Sequence, residues 1–193
     1  MTDTASWRDA AVLLIDHQVG TMSWVKSIPF AEMKRNALML AKTASILKLP
    51  VVLTSSMEDH AQGPLLNELE TILPETFRSR IQRAGIVNAM HDEQFAEAVR
   101  ATGCKTFIVA GVTNDVCTVF PVLSLLEQGH EVLVAADAGG SPGKIADDLA
   151  LERMARAGAT VLGTNQLLAG LARDWSTPEG SQLVVVLSES LQA

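Results

Sequence analysis

The sequence contains 193 residues, of which 48% are hydrophobic and 19% are charged, and its formal net charge is −7 at neutral pH. This length gives one domain with a full core and is too short for two. The apolar content excludes a disordered chain, and the negative charge, without any cluster of Lys and Arg, argues against a nucleic-acid-binding protein. We therefore expect a small-molecule substrate and further copies of the same chain as partners.

The N-terminal segment 1–18 carries no basic stretch ahead of its apolar run, which is only about six residues long. We predict neither a signal peptide nor a membrane span, and we expect a cytoplasmic protein. In that compartment the two cysteines, Cys104 and Cys117, are expected to remain unpaired.

Six short apolar runs recur along the chain and predict strands that are buried on both faces of a parallel sheet. In chain order they cover 10–16, 50–55, 79–83, 106–111, 131–137 and 159–164. Segments with the periodicity of amphipathic helices lie between them, at 30–48, 92–102, 115–129 and 144–158. This order predicts an α/β fold, a three-layer α/β/α arrangement with a six-stranded parallel, Rossmann-like sheet, in a single domain over 1–193.

The C-terminal segment 176–193 begins with turn residues and continues with a short apolar stretch. Two interpretations are open: the segment packs on its own domain, or it contacts a neighbouring subunit.

Several common catalytic motifs are absent from the sequence. No glycine-rich phosphate loop follows a predicted strand, and no Gly-x-Ser-x-Gly elbow occurs. The four histidines are dispersed rather than spaced as metal ligands. We therefore expect no cofactor and no metal.

Three reactive side chains fall near the carboxyl ends of different predicted strands, where functional groups of parallel sheets collect. Asp16 closes the first strand, Arg83 closes the third, and Cys117 follows the fourth. Each also has a structural interpretation, as a loop cap, a surface cation and a buried hydrophobe, respectively. Together they supply the base, the positive charge and the nucleophile that acyl transfer to a thiol requires.

The two cysteines are in different settings. Cys117 is in the first turn of a predicted helix, where free backbone N–H groups favour a thiolate, so we expect its pKa to be lowered toward neutrality. Cys104 precedes a strand and is interpreted as structural.

Three sequence blocks, AAVLLIDHQ, QRAGIVNA and GVTNDVC, resemble the isochorismatase-like cysteine hydrolases, and the segments GPL, RMARAGA and RDW are similar to the YcaC-type branch of that family. The resemblance extends to Trp175. It implies a homo-oligomer that hydrolyses a C–N bond of a small amide or carbamoyl compound through a thioester, using an Asp, Lys and Cys triad. By position Asp16 is the base, Cys117 is the nucleophile, and Arg83 replaces the more common lysine.

The resemblance also implies a non-proline cis peptide between Val112 and Thr113, and an oxyanion hole formed by the backbone N–H groups of Thr113 and Cys117. We further predict that Gln18, Trp24 and Phe120 form the pocket wall, because each lies within a few residues or one helical turn of a triad position.

Some members of the family bind zinc through an aspartate and two histidines after the second strand. Here that region contains only the adjacent Asp59 and His60, so we predict no metal. Two other functions remain open: an ether hydrolase that acts like isochorismatase, and a catalytically silent oligomer of the same fold that binds a ligand.

Overall fold

The computed structural model describes residues 4–191, with side chains from residue 7 onward. Within this part, six strands form one sheet in the order β3-β2-β1-β4-β5-β6, and every neighbouring pair is parallel. The strands are β1 (Ala11–Ile15), β2 (Val51–Ser56), β3 (Ile81–Arg83), β4 (Thr106–Gly111), β5 (Glu131–Ala135) and β6 (Thr160–Leu162).

Helices cover both faces of this sheet and complete the three layers. The α-helices are α1 (Val19–Ser23), α2 (Phe30–Leu47), α3 (Glu68–Ile72), α4 (Pro74–Arg78), α5 (Glu93–Ala101), α6 (Val119–Glu127), α7 (Lys144–Ala157), α8 (Thr164–Ala172) and α9 (Pro178–Ser188). No helix in residues 4–191 is both long and apolar enough to cross a membrane. The predicted fold class is confirmed.

The predicted strands and amphipathic helices occur where expected, with two differences that bear on the site. The fifth strand stops at Ala135, and a 3-10 turn (Ala136–Ala138) follows it. The predicted helix at 115–129 begins instead with a π-helical turn (Asn114–Thr118), and α6 starts only at Val119. Helix α8 was not predicted. Its first residue, Thr164, was expected to end the last strand.

The side chains of β1 alternate between two cores, as the two-residue period of a strand requires. Val12 and Leu14 pack in the core beneath α2 and α8, whereas Leu13 and Ile15 pack in the core beneath α5, α6 and α7. Because both faces are buried, the strand is apolar throughout, which explains the continuous runs that predicted the sheet.

Glycines end three helices in the way that the sequence predicts. Gly103, Gly129 and Gly158 have φ values of 68°, 83° and 114°, in the left-handed region that costs glycine least. Each therefore turns the chain from a helix into the next strand.

The strand order reverses between β1 and β4, because the chain builds β1, β2 and β3 outward and then returns to place β4 beside β1. Ile15 and Gly111 are partners at the carboxyl ends of these two strands. Ligands of open parallel sheets bind in the crevice at such a reversal point. The segments that follow Ile15 and Gly111 therefore frame the expected site.

Helix α9 packs on its own chain. Val186 lies in a small core with Met39 of α2 and Leu168 of α8. Glu189 accepts a hydrogen bond from the Lys42 ammonium group at 2.6 Å. Up to residue 191 the C-terminal segment thus contacts α2 and α8 of its own chain. The final two residues of the predicted element 176–193 lie outside the described residues, as do residues 1–3 of the predicted domain.

Candidate active site

Asp16, Arg83 and Cys117, which lie far apart in the sequence, meet at the carboxyl edge of the sheet. The Arg83 Nη2 donates hydrogen bonds to both carboxylate oxygens of Asp16, each at 2.5 Å. The Cys117 thiol lies beside the same carboxyl and interacts with it electrostatically. Asp16 and Arg83 are only 1% and 2% exposed, so this contact is a buried ion pair with a thiol beside it.

The backbone at Asp16 turns sharply where β1 ends. Its φ is 58°, a left-handed conformation that Asp tolerates better than most side chains. The neighbouring strand holds the turn, since the Asp16 N–H donates to Thr54 O at 3.0 Å, and the Gln18 N–H donates back to Asp16 O at 2.7 Å. Non-glycine residues in this conformation are concentrated at functional sites.

Arg83 is fixed by partners on three segments. Besides Asp16, its Nε donates to Thr54 Oγ1 at 3.1 Å and its Nη1 donates to Ile86 O at 2.5 Å. The guanidinium group therefore reaches across β2 from the edge strand β3 to the end of β1. A planar group with several donors is suited to such a position, whereas an ammonium group is not.

Burial dominates the protonation of the acid and the thiol. It raises the pKa of the Asp16 carboxyl above its usual range, while the Arg83 charge opposes this rise. Burial, followed by the Asp16 charge, raises the pKa of the Cys117 thiol to about 12. The expectation of a lowered thiol pKa is therefore wrong, because desolvation and a nearby carboxylate outweigh the backbone N–H groups.

The segment that carries Cys117 is tightly wound. The peptide bond between Val112 and Thr113 is cis. The Thr118 N–H donates to Thr113 O at 3.0 Å, which closes the π-helical turn. The Thr113 backbone lowers the pKa of the Cys117 thiol, although more weakly than burial raises it.

A polar network attaches this turn to α7. The Asn114 Nδ2 donates to Ala136 O and to Asp147 Oδ1, each at 3.1 Å. Ser141 Oγ donates to the same Asp147 oxygen at 2.8 Å and accepts the Asp115 N–H at 3.2 Å. Asp147 thus connects the loop that follows β4 to the loop that follows β5.

A cavity of about 300 Å³ opens over the triad. This volume is at the lower end of the range for small-molecule sites. The residues that line the cavity are Asp16, Thr21, Trp24, Ser56, Met57, Gln62, Arg83, Gly85, Ile86, Val87, Thr113, Asp115, Val116, Cys117 and Pro142.

Of the three predicted wall residues, only Trp24 lines the cavity. Gln18 does not, because its side chain joins β2 to the following loop: the amide oxygen accepts the Ser56 N–H, and the amide nitrogen donates to Gly63 O. Phe120 does not either, because it packs in the core on the α6 side with the Arg153 guanidinium 5.7 Å from its ring centroid. Proximity in sequence was not sufficient for either residue.

Other lining residues were not predicted from the sequence, although some carried a signal. Ile86 and Val87 form an exposed apolar pair that begins three residues after Arg83, where β3 has already ended. Asp115 lies inside the block GVTNDVC, two residues before the cysteine. This short separation from Cys117 is a signal in the sequence that identifies Asp115 as a candidate pocket residue.

The histidines take no part in the cavity wall. His17 is fully buried, its Nε2 contacts Ala138 O at 2.8 Å, and burial lowers its pKa to about 4. Asp59 and His60 are both exposed. No group of three or more His, Cys, Asp or Glu side chains in the described residues is arranged to hold a metal ion. The zinc site of some family members does not fit these side chains.

The fold and the site define a class of protein: a three-layer α/β protein with an acid, a cation and a thiol at the reversal point of a parallel sheet. The model of the Isochorismatase domain matches residues 10–166 of this chain. The chain therefore belongs to the isochorismatase family.

Individual relatives agree with this assignment. The chain is 42% identical to the probable hydrolase YcaC of Escherichia coli K12 over 167 residues, which cover 86% of this chain and 79% of that protein. The solved structure of YcaC from Pseudomonas aeruginosa is similar with a TM-score of 0.88 and 39% identity, covering 96% of this chain and 94% of that one. The crystal structure of the E. coli protein gives the same TM-score and identity, with 95% and 88% coverage. The chain is thus a member of a hydrolase family, with YcaC proteins among its relatives.

Proposed function

We propose that the protein is a cysteine hydrolase that cleaves a C–N bond of a small amide or carbamoyl compound through a thioester. The observation that carries this proposal is the proximity of the Cys117 thiol to the buried Asp16 carboxyl, which Arg83 holds, in the wall of one small cavity. A nucleophile in contact with a base that is itself held by a third group is the arrangement that covalent catalysis requires.

Proton transfer to Asp16 generates the nucleophile. With a pKa of about 12, the Cys117 thiol keeps its proton at neutral pH, so attack requires a base. The raised pKa of Asp16 makes this carboxylate a stronger base than an ordinary aspartate. As the thiol proton moves to Asp16, the sulfur attacks the substrate carbonyl carbon, and the carbonyl π electrons move to oxygen.

The remaining steps reverse this proton transfer. The oxyanion collapses, the C–N bond breaks, and Asp16 gives its proton to the leaving nitrogen, which departs as ammonia or an amine. Asp16 then takes a proton from water, whose oxygen attacks the thioester, and the sulfur leaves and recovers its proton. The balance is one amide and one water converted to one acid and one amine.

Arg83 acts as a fixed charge. A guanidinium group does not lose its proton in proteins, so Arg83 cannot replace a lysine that exchanges protons. Its two bonds to Asp16 instead hold the carboxylate in one orientation. The backbone N–H groups of Thr113 and Cys117 are the proposed oxyanion donors, and removal of one such donor typically costs about 100 to 1,000-fold in rate.

A property of one relative supports a reactive nucleophile. The solved structure of the P. aeruginosa YcaC contains covalent acrylamide. Acrylamide is a small electrophilic amide that alkylates thiolates by conjugate addition. By analogy, we propose that a nucleophile of this chain, Cys117, is accessible to an amide-sized molecule.

The isochorismatase-like ether hydrolase is less well supported. Its dicarboxylate substrate requires positive groups, yet the only cation that lines the cavity, within the described residues, is Arg83, whose Nη2 is occupied by Asp16. No specific observation favours the catalytically silent oligomer.

Ammonia release from a panel of small amides and carbamoyl compounds tests the proposal. We expect the wild type and Cys104→Ala to release ammonia or amine from at least one compound, and Cys117→Ala to be slower by about 1,000-fold or more, since the nucleophile is lost. Cys104→Ala is the matched control because it removes a thiol at the opposite end of β4. Release that survives Cys117→Ala would exclude thioester chemistry, and release from no compound by the wild type would favour the silent oligomer.

We also propose that the protein forms a homo-oligomer. The E. coli YcaC is described as an octamer. In this chain Ile145 and Leu149 lie one turn apart on α7 and are 77% and 60% exposed. Apolar pairs of this kind on a helix surface are typical of subunit contacts.

A further inference from the structure

The charges around the cavity are not balanced. Three acidic or basic residues line it: Asp16, Arg83 and Asp115. Asp16 and Arg83 neutralise each other through their ion pair at 2.5 Å. Asp115 remains as the uncompensated charge, so the cavity is negative when all three groups are ionised.

Among the described residues that line the cavity, the one cation, Arg83, is not free to receive an anion. The Arg83 guanidinium contacts Asp16, Thr54 and Ile86 through three different nitrogens, and its side chain is 1% exposed. An acidic substrate group entering this space would lose its hydration and gain no counter-charge. Burial of an unpaired charge is among the most costly events in a protein interior.

Two polar atoms of the wall lack a partner. Asp115 Oδ1 and Thr21 Oγ1 are both enclosed, and neither has a hydrogen-bond partner within the described chain. Thr21 as a whole is 4% exposed. The Asp115 carboxylate can only accept a hydrogen bond, whereas the Thr21 hydroxyl can donate as well as accept. Of these two lining residues, Asp115 is therefore the one that favours a molecule with N–H groups over a molecule with an acidic group.

Trp24 adds an aromatic surface at the mouth of the same cavity, where its side chain is 43% exposed. An indole ring attracts cations through its negative face. A carboxylate and an indole in one small space are a combination that recognises ammonium groups, whereas the remaining apolar wall suits a hydrocarbon portion.

We infer that the substrate of this site carries no acidic group and presents an N–H donor, best an ammonium group, to Asp115. The inference rests on the proposed amide hydrolysis only in treating the bound molecule as a substrate. The preference for a molecule without an acidic group is a property of the cavity itself. It narrows the amide class to compounds that are neutral or cationic at physiological pH.

Alkylation of Cys117 by small reagents of different charge tests this preference without requiring turnover. The reagents are iodoacetamide, iodoacetate and 2-bromoethylammonium, and each rate is divided by the rate of the same reagent with 2-mercaptoethanol. Peptide mapping separates Cys117 from Cys104. We expect the relative rates to fall in the order ammonium, amide, acetate, with the acetate slower than the amide by about tenfold or more because of the unbalanced charge.

The variant Asp115→Asn keeps the shape of the side chain and removes its charge. We expect it to reduce the difference between acetate and ammonium reagents by about tenfold. Asp148→Asn is the matched control, since it removes the same charge from an exposed position on α7 that does not line the cavity.

Three results would overturn the inference: acetate reacting as fast as the amide, Asp115→Asn behaving like Asp148→Asn, or no alkylation of Cys117 by any reagent. The proposed function can be rejected independently of this inference. If the charge order holds but no amide is hydrolysed, the cavity keeps its ligand preference and the amidase activity is rejected.

Discussion

Arg83 combines a structural position with a role in the proposed catalysis. Its guanidinium group joins the edge strand β3 to Asp16 across β2, and each of the three nitrogens has an acceptor. The corresponding residue in the commonest pattern of the family is expected to be lysine. In this chain a planar guanidinium group with several donors fits the site, because the acceptors Thr54 Oγ1 and Ile86 O lie on different segments.

The variant Arg83→Lys tests this interpretation. An ammonium group can pair with Asp16 but cannot also donate hydrogen bonds to both Thr54 Oγ1 and Ile86 O. At least one of these acceptors therefore loses its donor. We expect a loss of about 1–3 kcal/mol in the free energy of unfolding, measured by urea denaturation, for the acceptor left unpaired. Amide hydrolysis should fall by about tenfold, mainly in kcat, as Asp16 gains freedom.

Arg80→Lys provides the control for that experiment. Arg80 is also a strand-proximal arginine with an acidic partner, Glu58, but its side chain is 22% exposed and does not line the active-site cavity. Wild-type activity in Arg83→Lys, with unchanged stability, would show that a point charge is sufficient at this position.

At the level of elements, the loops after β1, β4 and β5 are held together by hydrogen bonds of polar side chains, some of which involve α7. Asn114, Ser141 and Asp147 connect the nucleophile turn to α7. His17 connects the end of β1 to the turn after β5 through Ala138 O at 2.8 Å. Such contacts hold the Asp16 carboxyl and the Cys117 thiol close together, because the sheet alone fixes only the ends of the strands.

His17 predicts a pH dependence of stability. Its pKa is about 4 in the folded protein and has an ordinary value of 6.5. As the pH falls below 6.5 the unfolded chain binds the proton first, so this contribution is fully present above 6.5 and is lost as the pH approaches 4. We expect a decrease of about 3 kcal/mol in the free energy of unfolding over that interval.

Urea denaturation between pH 4 and pH 7 measures this effect. His17→Gln, whose amide can still donate to Ala138 O, should lack the part of the slope that His17 causes. His60→Gln, at an exposed position, should keep the slope of the wild type. A slope in His17→Gln equal to that of the wild type would assign the acid sensitivity to other groups.

At the scale of the whole molecule, the exposed apolar side chains of the described residues include groups on two helices. One consists of Ile145 and Leu149 on α7, and the other includes Val185 of α9, which is 66% exposed. The α7 surface lies on the helix that anchors the nucleophile turn through Asp147. Assembly through α7 would therefore support the active site as well as cover apolar area.

Light scattering after size exclusion measures the assembly state. We expect the wild type to be an oligomer, and the double variant Ile145→Glu and Leu149→Glu to have a smaller mass, because two charges would be buried at the contact. Gln94→Glu, on the exposed face of α5, introduces the same type of charge and should leave the mass unchanged. A monomeric wild type would contradict the proposed homo-oligomer.

The sequence was sufficient to predict the sheet and the location of the triad. The run 106–111 is buried at every position and is continuously apolar from Phe107 to Ala110, and this apolar run is visible without a structure. Asp16, Arg83 and Cys117 could be placed at one edge because parallel strands all end on the same side. Both predictions depend on chain direction and local periodicity, which are properties of neighbouring residues.

The tertiary structure decided the environment of those groups. The thiol pKa of about 12, the positions of Gln18 and Phe120 outside the cavity, and the unbalanced Asp115 could not be predicted from local patterns. Each depends on which distant residues enclose a group, as when Arg83 contacts Asp16 from 67 positions away along the chain. Desolvation and charge pairing depend on distance in space, so the sequence determined which groups meet, whereas only the packed structure determined their protonation and what the cavity can accept.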